Sequence, residues 1–198
     1  PPCDLIILPG SKSVRADLQA LHDNGWAEQL TRHLRYGGKV LGICGGFQML
    51  GKLIHDPLGI EGPSGSSEGL AWLDMETTLA AEKTLRQVSG HCRLNGRQAS
   101  LRGYEIHAGI SQGRALETPF AEVNEHCDGA ISADGHVLGS YVHGLFDDDE
   151  ARALILQWAG ASSLEAVDYD GIIEANLERL ADCVEQHLDM ETLLSLGS

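Results

Sequence analysis

Two short apolar runs, each closed by a glycine-marked turn and followed by a helix-period segment, limit the fold most. Leu5-Ile6-Ile7-Leu8 ends at Pro9-Gly10-Ser11, and Lys39-Val40-Leu41-Gly42-Ile43 ends at Cys44-Gly45-Gly46. Runs of this length without polar alternation read as strands buried on both faces. Between them Val14, Leu18 and Leu21 recur at helical spacing, Asn24-Gly25 makes a break, and a second helix runs from Trp26 to Tyr36, stopping at Gly37-Gly38. A third helix follows Gly46 through Phe47, Met49 and Leu50. Strands alternating with helices predict an α/β protein with a parallel sheet covered on both faces.

Beyond Ile54 the pattern changes. Residues 54–68 are rich in glycine, proline and serine and read as one long loop. Asn95-Gly96 predicts a hairpin between Ser89-Leu94 and Arg97-Leu101. Asp134-Gly135 predicts another, between Gly129-Ala133 and a strand that runs from His136 to Val142 and ends at His143. In the last third, Ile173, Leu177, Leu180, Val184 and Leu188 share one helical face, with Cys183 in or beside a buried stripe. The expectation is one domain over 1–198, of which 163–198 is a helical tail.

Composition removes several classes of function. With 29 acidic against 14 basic residues the net charge is −15, which repels phosphate backbones and argues against nucleic-acid binding. No apolar stretch approaches the roughly 20 residues that span a bilayer. The five cysteines are odd in number and form no C-x-x-C pair, so neither a disulfide framework nor a zinc cage is expected. The nine histidines form no metal-binding helix pair, and no metal is expected. A reducing cytoplasm is the expected setting.

Gly42-Ile43-Cys44-Gly45-Gly46-Phe47-Gln48 is the stretch richest in chemistry. A buried strand enters it and a helix leaves it, as in the G-x-S-x-G elbow of hydrolases, with sulfur in place of oxygen. Unpaired backbone N–H groups at the helix start are expected to favour the thiolate, and the N–H of Gly45 to face an oxyanion. A histidine must serve as base. His143, at a strand end and followed by Gly144, is the best placed. His107 competes: in Gly103-Tyr104-Glu105-Ile106-His107 the alternation sets Tyr104 and Ile106 on one face and Glu105 and His107 on the other.

These residues carry a family resemblance. The elbow resembles that of class I glutamine amidotransferases. Leu8-Pro9-Gly10-Ser11-Lys12-Ser13, Asp56-Pro57, Gly59-Ile60-Glu61-Gly62, Gly103-Tyr104-Glu105-Ile106-His107 and Tyr141-Val142-His143-Gly144-Leu145-Phe146 narrow it. Together they resemble the C-terminal glutaminase domain of the cobyric acid synthase family, from Leu5 to about Asp147.

The resemblance implies a flavodoxin-like, three-layer fold, mostly parallel, with added hairpins and the helical tail. It also implies that Cys44 attacks the side-chain amide of glutamine while His143 shuttles protons, through a γ-glutamyl thioester. Gly10 and Gly45 would supply oxyanion donors, and Gln48 would contact glutamine. Ammonia would pass to an N-terminal, ATP- and Mg-dependent synthetase domain that amidates corrinoid carboxylates on the route to cobalamin. No cofactor is expected in this chain, because Gly10-Ser11-Lys12-Ser13 lacks the spacing and leading glycine of a P-loop. Leu145 stands where most class I glutaminases carry an acid, which leaves three alternatives open: Asp147 orients His143, Glu105 does, or Cys44 and His143 work as a dyad. The run Asp147-Asp148-Asp149-Glu150 otherwise reads as a solvated helix start.

Family domains begin with a strand and helix upstream of Leu5, which gives the expectation of a C-terminal piece that lacks part of its own sheet. The glutaminase of cobyrinic acid a,c-diamide synthase is the near alternative. A stand-alone cysteine hydrolase and a silent module of the same fold are more distant ones.

Overall fold

The computed structural model describes residues 3–164, 167–189 and 195. Two compact units divide the chain, Pro1–Ser163 and Leu164–Ser198.

In the first unit, strand β1 (Leu5–Leu8) leads into helix α1 (Val14–Asp23) and helix α2 (Trp26–Arg35). Strand β2 (Lys39–Ile43) and the one-turn helix α3 (Gly45–Met49) follow. Next come β3 (Leu53–Asp56), β4 (Gly65–Glu68), β5 (Glu76–Leu94) and β6 (Arg97–Gln112). The short strands β7 (Ala121–Val123), β8 (His126–Asp128), β9 (Ala130–Ile131), β10 (Val137–Ser140) and β11 (Val142–His143) precede helix α4 (Asp149–Trp158).

The expected α/β core is present. One sheet has the order β1-β2-β10-β9, with β1, β2 and β10 parallel and β9 antiparallel at the edge. Val40, Leu41 and Leu138 are fully buried in it, and Phe47 from α3 closes over its face.

The hairpin region is more extensive than the sequence predicts. A second sheet has the order β11-β6-β5-β3-β4, with β7 paired to β5 and β8 paired to β7. Its spine is the β5–β6 hairpin, which pairs from Leu94↔Arg97 to Glu76↔Gln112 with one register shift between Thr78 and Lys83. The Asn95-Gly96 turn is where the spacing places it, but the strands run well beyond Ser89 and Leu101. The expected loop over 54–68 also needs correction. Its two ends are strands, β3 and β4, paired antiparallel from Leu53↔Glu68 to Asp56↔Gly65, and only the segment between them is loop. Gly65-Ser66-Ser67-Glu68 has no apolar alternation to betray a strand; the backbone ladder to β3 holds it, joined by hydrogen bonds between His55 and the Ser66 hydroxyl and from Arg15 to the Ser67 hydroxyl.

The strand expected from His136 to Val142 is broken. β10 ends at Ser140, and β11 crosses to the second sheet, pairing His143↔Tyr104. The buried carboxylate of Asp128 makes the break, accepting the Ser140 hydroxyl at 2.5 Å and the Tyr141 N–H at 3.1 Å. Side-chain groups thereby replace a ladder bond, and the chain is free to turn.

Within the run 147–150, Asp148 is buried rather than solvated. It caps α4 by accepting the amides of Glu150 and Ala151. The second unit contains helix α5 (Tyr169–His187), capped by Asp168, whose carboxylate accepts from the Gly171 amide. Ile173, Leu177 and Val184 lie on it, but Cys183 is exposed and belongs to no buried stripe. Residues 165, 166, 190–194 and 196–198 of the expected 163–198 tail lie outside the described residues.

Candidate active site

Cys44 stands between the end of β2 and the start of α3 with φ 53° and ψ −109°. A positive φ at a residue with a Cβ costs about 1–3 kcal/mol and must be held by its surroundings. Here the Cys44 N–H donates to the Ser140 carbonyl at 2.9 Å, and the Cys44 carbonyl accepts the Gln48 N–H at 3.1 Å. Gly46 closes the turn against β1, donating to the Pro9 carbonyl at 3.1 Å. A Cβ on Gly46 would lie 2.0 Å from the Leu8 carbonyl oxygen, so only glycine fits. The sequence expectation of an elbow is met in its geometry.

His143 arrives from the opposite side on β11. Its Nε2 lies 3.3 Å from the Ile106 carbonyl oxygen, and the Cys44 thiol donates to the same oxygen at 3.2 Å. Gly10 lies beside both residues. A Cβ added there would sit 3.5 Å from His143 Cε1 and 3.6 Å from Cys44 Cβ.

The three residues open on a cavity of about 570 Å³. Ser11, Lys12 and Val14 line it from the β1–α1 turn, Ile60 and Glu61 from the loop after β3, and Gln48 from α3. The Glu61 loop is shaped by Asp56, which is fully buried and accepts the amides of Ile60 at 2.7 Å and Glu61 at 2.9 Å. Burial alone would raise the Asp56 carboxyl. The Glu61 and Ile60 amides and the nearby Arg15 guanidinium outweigh it and hold the group below the usual carboxylate range.

The electrostatics of Cys44 correct one expectation. Burial raises the thiol above its ordinary value, and the charge of Glu61 adds to the rise. The Gly45 amide beside the sulfur pulls the other way without prevailing. A one-turn helix has few aligned peptides, and its pull on an anion is correspondingly small. Burial thus disfavours the thiolate, and the Cys44 thiol donates to the Ile106 carbonyl.

The other expected site residues separate into two groups. Gln48 is buried at the cavity wall, its Nε2 donating to the Ala108 carbonyl at 3.1 Å and to the Tyr141 hydroxyl at 3.4 Å. Tyr104 stacks on His143, with ring centroids 5.3 Å apart and planes 4° apart. Glu105 points to the far face of β6, as the alternation predicts. It is buried there, bonded to Arg86 and, at 3.2 Å, to His126. Burial would raise its carboxyl, but those two partners draw it below the ordinary range. Glu105 therefore forms no hydrogen bond with His143.

Asp147 forms none with His143 either. Its amide donates to the Gly144 carbonyl at 2.9 Å, and a Cβ on Gly144 would meet its Oδ2 at 3.2 Å. His107 lines the cavity but stacks on Tyr141 at 4.0 Å, and burial lowers its pKa below the ordinary histidine value. Its Nδ1 is buried without a hydrogen-bond partner. Among the described residues no group of three or more His, Cys, Asp and Glu is placed to hold a metal ion, and no helix is long and apolar enough to cross a membrane.

Lys12, Ile60, Glu61 and the Ile106 carbonyl were not singled out as site residues by sequence. The Gly59-Ile60-Glu61-Gly62 motif carried a signal for two of them. A backbone carbonyl carries none.

The fold is mixed α/β, with a cysteine on a strained strand-to-helix elbow and a histidine converging on it from a neighbouring sheet. Solved structures share the fold. One described as a glutamine amidotransferase superposes with a TM-score of 0.57 at 21% identity, covering 80% of each chain. PurLQS from Thermotoga maritima gives 0.55 at 17% identity, covering 79% of this chain and 78% of that one. The sequence profile of the CobB/CobQ-like glutamine amidotransferase domain matches residues 1–151, and the chain belongs to that family.

Proposed function

We propose that this domain hydrolyses glutamine and delivers the ammonia to an amidating synthetase domain. One observation carries the reading: Cys44 and His143 converge on the same oxygen at the wall of a cavity large enough for a free amino acid. Lys12 and Glu61 give that cavity one cation and one anion, matching the α-carboxylate and α-ammonium of glutamine.

In the first half-reaction His143 takes the Cys44 proton as the sulfur attacks the side-chain carbonyl carbon. The oxyanion is met by the N–H groups of Gly45 and Gly10. The intermediate collapses, the C–N bond breaks, and His143 returns the proton to the leaving nitrogen, so that ammonia departs and a γ-glutamyl thioester remains. Water then attacks the thioester with His143 as base, releasing glutamate and restoring the thiol. Cys44 and His143 work as a dyad in this scheme. The family membership and the Gly103–His107 and Tyr141–Phe146 motifs support placing the reaction in cobalamin biosynthesis, with corrinoid carboxylates amidated as in cobyric acid synthase.

The glutamine-directed electrophile 6-diazo-5-oxo-norleucine tests the reading in the protein that carries this domain. It should label Cys44 stoichiometrically and spare a Cys44→Ala variant; equal labelling of both would remove the nucleophile. A His143→Ala enzyme should lose glutamine-dependent amidation and keep the ammonia-dependent reaction. Loss of both would make the histidine structural.

A further inference from the structure

A histidine that must take a proton from a thiol and hand it to a leaving group needs a fixed ring plane, and in a triad an acid fixes it. Among the described residues no hydrogen bond joins a carboxylate to His143. Glu105 is committed to Arg86 and His126 on the other face of β6, and Asp147 folds back on the Gly144 turn. The imidazole hydrogen bond in the structure is the one between Nε2 and the Ile106 carbonyl. A single bond leaves rotation about its axis open.

We propose that Tyr104 is the positioning residue of His143, fixing the imidazole by ring stacking in place of a triad acid. Three observations carry this. First, His143 and Tyr104 are directly paired across the β11–β6 ladder, so their side chains project from the same face at neighbouring positions. Second, the rings lie nearly parallel, 4° apart, with centroids at 5.3 Å, an offset-stacked arrangement. Third, the strands can close to this distance because residue 103 is glycine. A Cβ there would lie 2.1 Å from the His143 carbonyl oxygen.

The ring face, not the hydroxyl, does the positioning, since no hydrogen bond of the Tyr104 hydroxyl is present among the described residues. Stacking also favours the charged state through which the reaction passes. When the Cys44 proton moves to His143 the ring becomes an imidazolium, and a cation against an aromatic face is stabilised. Tyr104 thus performs both tasks of a triad acid, orientation and stabilisation of the cation, without accepting a hydrogen bond.

The inference rests on the dyad reading of Cys44 and His143, and its test separates the two. Tyr104→Leu and Tyr104→Phe are compared with the wild type and with His143→Ala in the protein that carries this domain, after circular dichroism has shown the same fold. Glutamine hydrolysis is measured, and so is alkylation of Cys44 by iodoacetamide, which needs proton removal from the thiol but no glutamine. Tyr104→Leu should lose about 3- to 10-fold in kcat, and as much in alkylation rate, with KM for glutamine unchanged. Tyr104→Phe should restore both rates. Equal rates for Tyr104→Leu and the wild type overturn the proposal, as does a Phe variant as slow as the Leu variant. If the wild type alkylates in a His143- and Tyr104-dependent way yet does not turn over glutamine, the positioning role stands and the glutaminase reading falls.

Discussion

Cys44 Sγ and His143 Nε2 meet on one acceptor, the backbone carbonyl oxygen of Ile106, 3.2 Å from the sulfur and 3.3 Å from the nitrogen. The carbonyl belongs to β6, a strand of the hairpin sheet, while Cys44 follows β2 of the parallel sheet. The site is therefore assembled across the junction of the two sheets, and in its resting state the Cys44 thiol donates to β6.

That resting state should respond to Glu61. Its negative charge adds to burial in disfavouring the thiolate, so removing the charge lowers the thiol pKa. At any pH below that pKa a larger fraction of Cys44 is then ionised. Glu61→Gln should speed iodoacetamide alkylation of Cys44 at pH 7.5 by about two- to threefold, as expected for the loss of one partly screened charge. The same substitution should raise KM for glutamine, because the α-ammonium loses its partner. Slower alkylation in the variant would mean that Glu61 stabilises the thiolate instead.

Two glycines near the elbow should behave in opposite ways. A methyl at Gly10 makes only ordinary contacts, at 3.5 Å and 3.6 Å, with His143 and Cys44. Gly10→Ala should keep the wild-type melting temperature within a few degrees. It should nevertheless lose about 100-fold or more in glutamine turnover, because the methyl fills the space between nucleophile and base. At Gly46 the methyl would overlap the Leu8 carbonyl at 2.0 Å. Gly46→Ala should be destabilised by about 3 kcal/mol or more, and should be recovered mainly as insoluble protein. Differential scanning calorimetry and a glutamate-release assay on both variants decide the matter; an inactive, unfolded Gly10→Ala would remove the distinction.

The parts of this molecule that sequence discloses are those whose physics is local. β1, β2 and the elbow announce themselves because buried parallel strands are apolar throughout and the turn after them needs glycine. The outer half of β5, the end of β6 beyond His107 and the whole of β4 do not. Their residues alternate weakly, and long-range ladder partners, not their own composition, make them strands. The side-chain orientations on β6 followed from alternation, so Tyr104 and Glu105 were correctly set on opposite faces. What each one touches did not follow, because His143 and Arg86 come from strands far away in the chain. The thiol state of Cys44 was misjudged for a related reason. The helix start is visible in sequence, but burial beneath β6 and the approach of Glu61 are tertiary facts.

Asp56 should give the folded protein an acid-sensitive element. Its carboxyl is held below the ordinary range when folded, so its contribution is fully present above the unfolded value near 3.8 and is lost as pH falls through the lower folded one. Asp56→Asn replaces an acceptor with an amide that must set a donor near the Ile60 or Glu61 N–H. Urea midpoints should therefore favour the wild type at pH 7, with the gap closing below about pH 4. The variant should also bind glutamine less tightly, since the loop carrying Glu61 is no longer tied down. A gap that stays constant between pH 7 and pH 3 would show that the carboxylate charge is not what holds the loop.

Asp128 should act with the opposite sign. It is buried at the break between β10 and β11, and burial pushes its carboxyl up to about 6 despite the hydrogen bonds from Ser140 and Tyr141. Between about pH 4 and pH 6 the folded protein holds a proton that the unfolded chain has released. Stability from this group is therefore greatest at low pH and falls as pH rises through that window. The loss is on the order of 2–3 kcal/mol by pH 7, from the separation between about 3.8 and about 6. Asp128→Asn keeps the acceptor for the Tyr141 N–H and cannot ionise, so it should lack this decline. The difference in unfolding free energy, wild type minus variant, should fall by that amount between pH 4 and pH 7, while other titrating groups cancel in the subtraction. His143 lies two residues beyond the Tyr141 amide that Asp128 holds. A variant with wild-type turnover and a flattened stability profile would show that the carboxyl shapes the turn without entering the chemistry. A difference that does not change with pH would place the Asp128 proton on neither side of the folding equilibrium and remove the assignment.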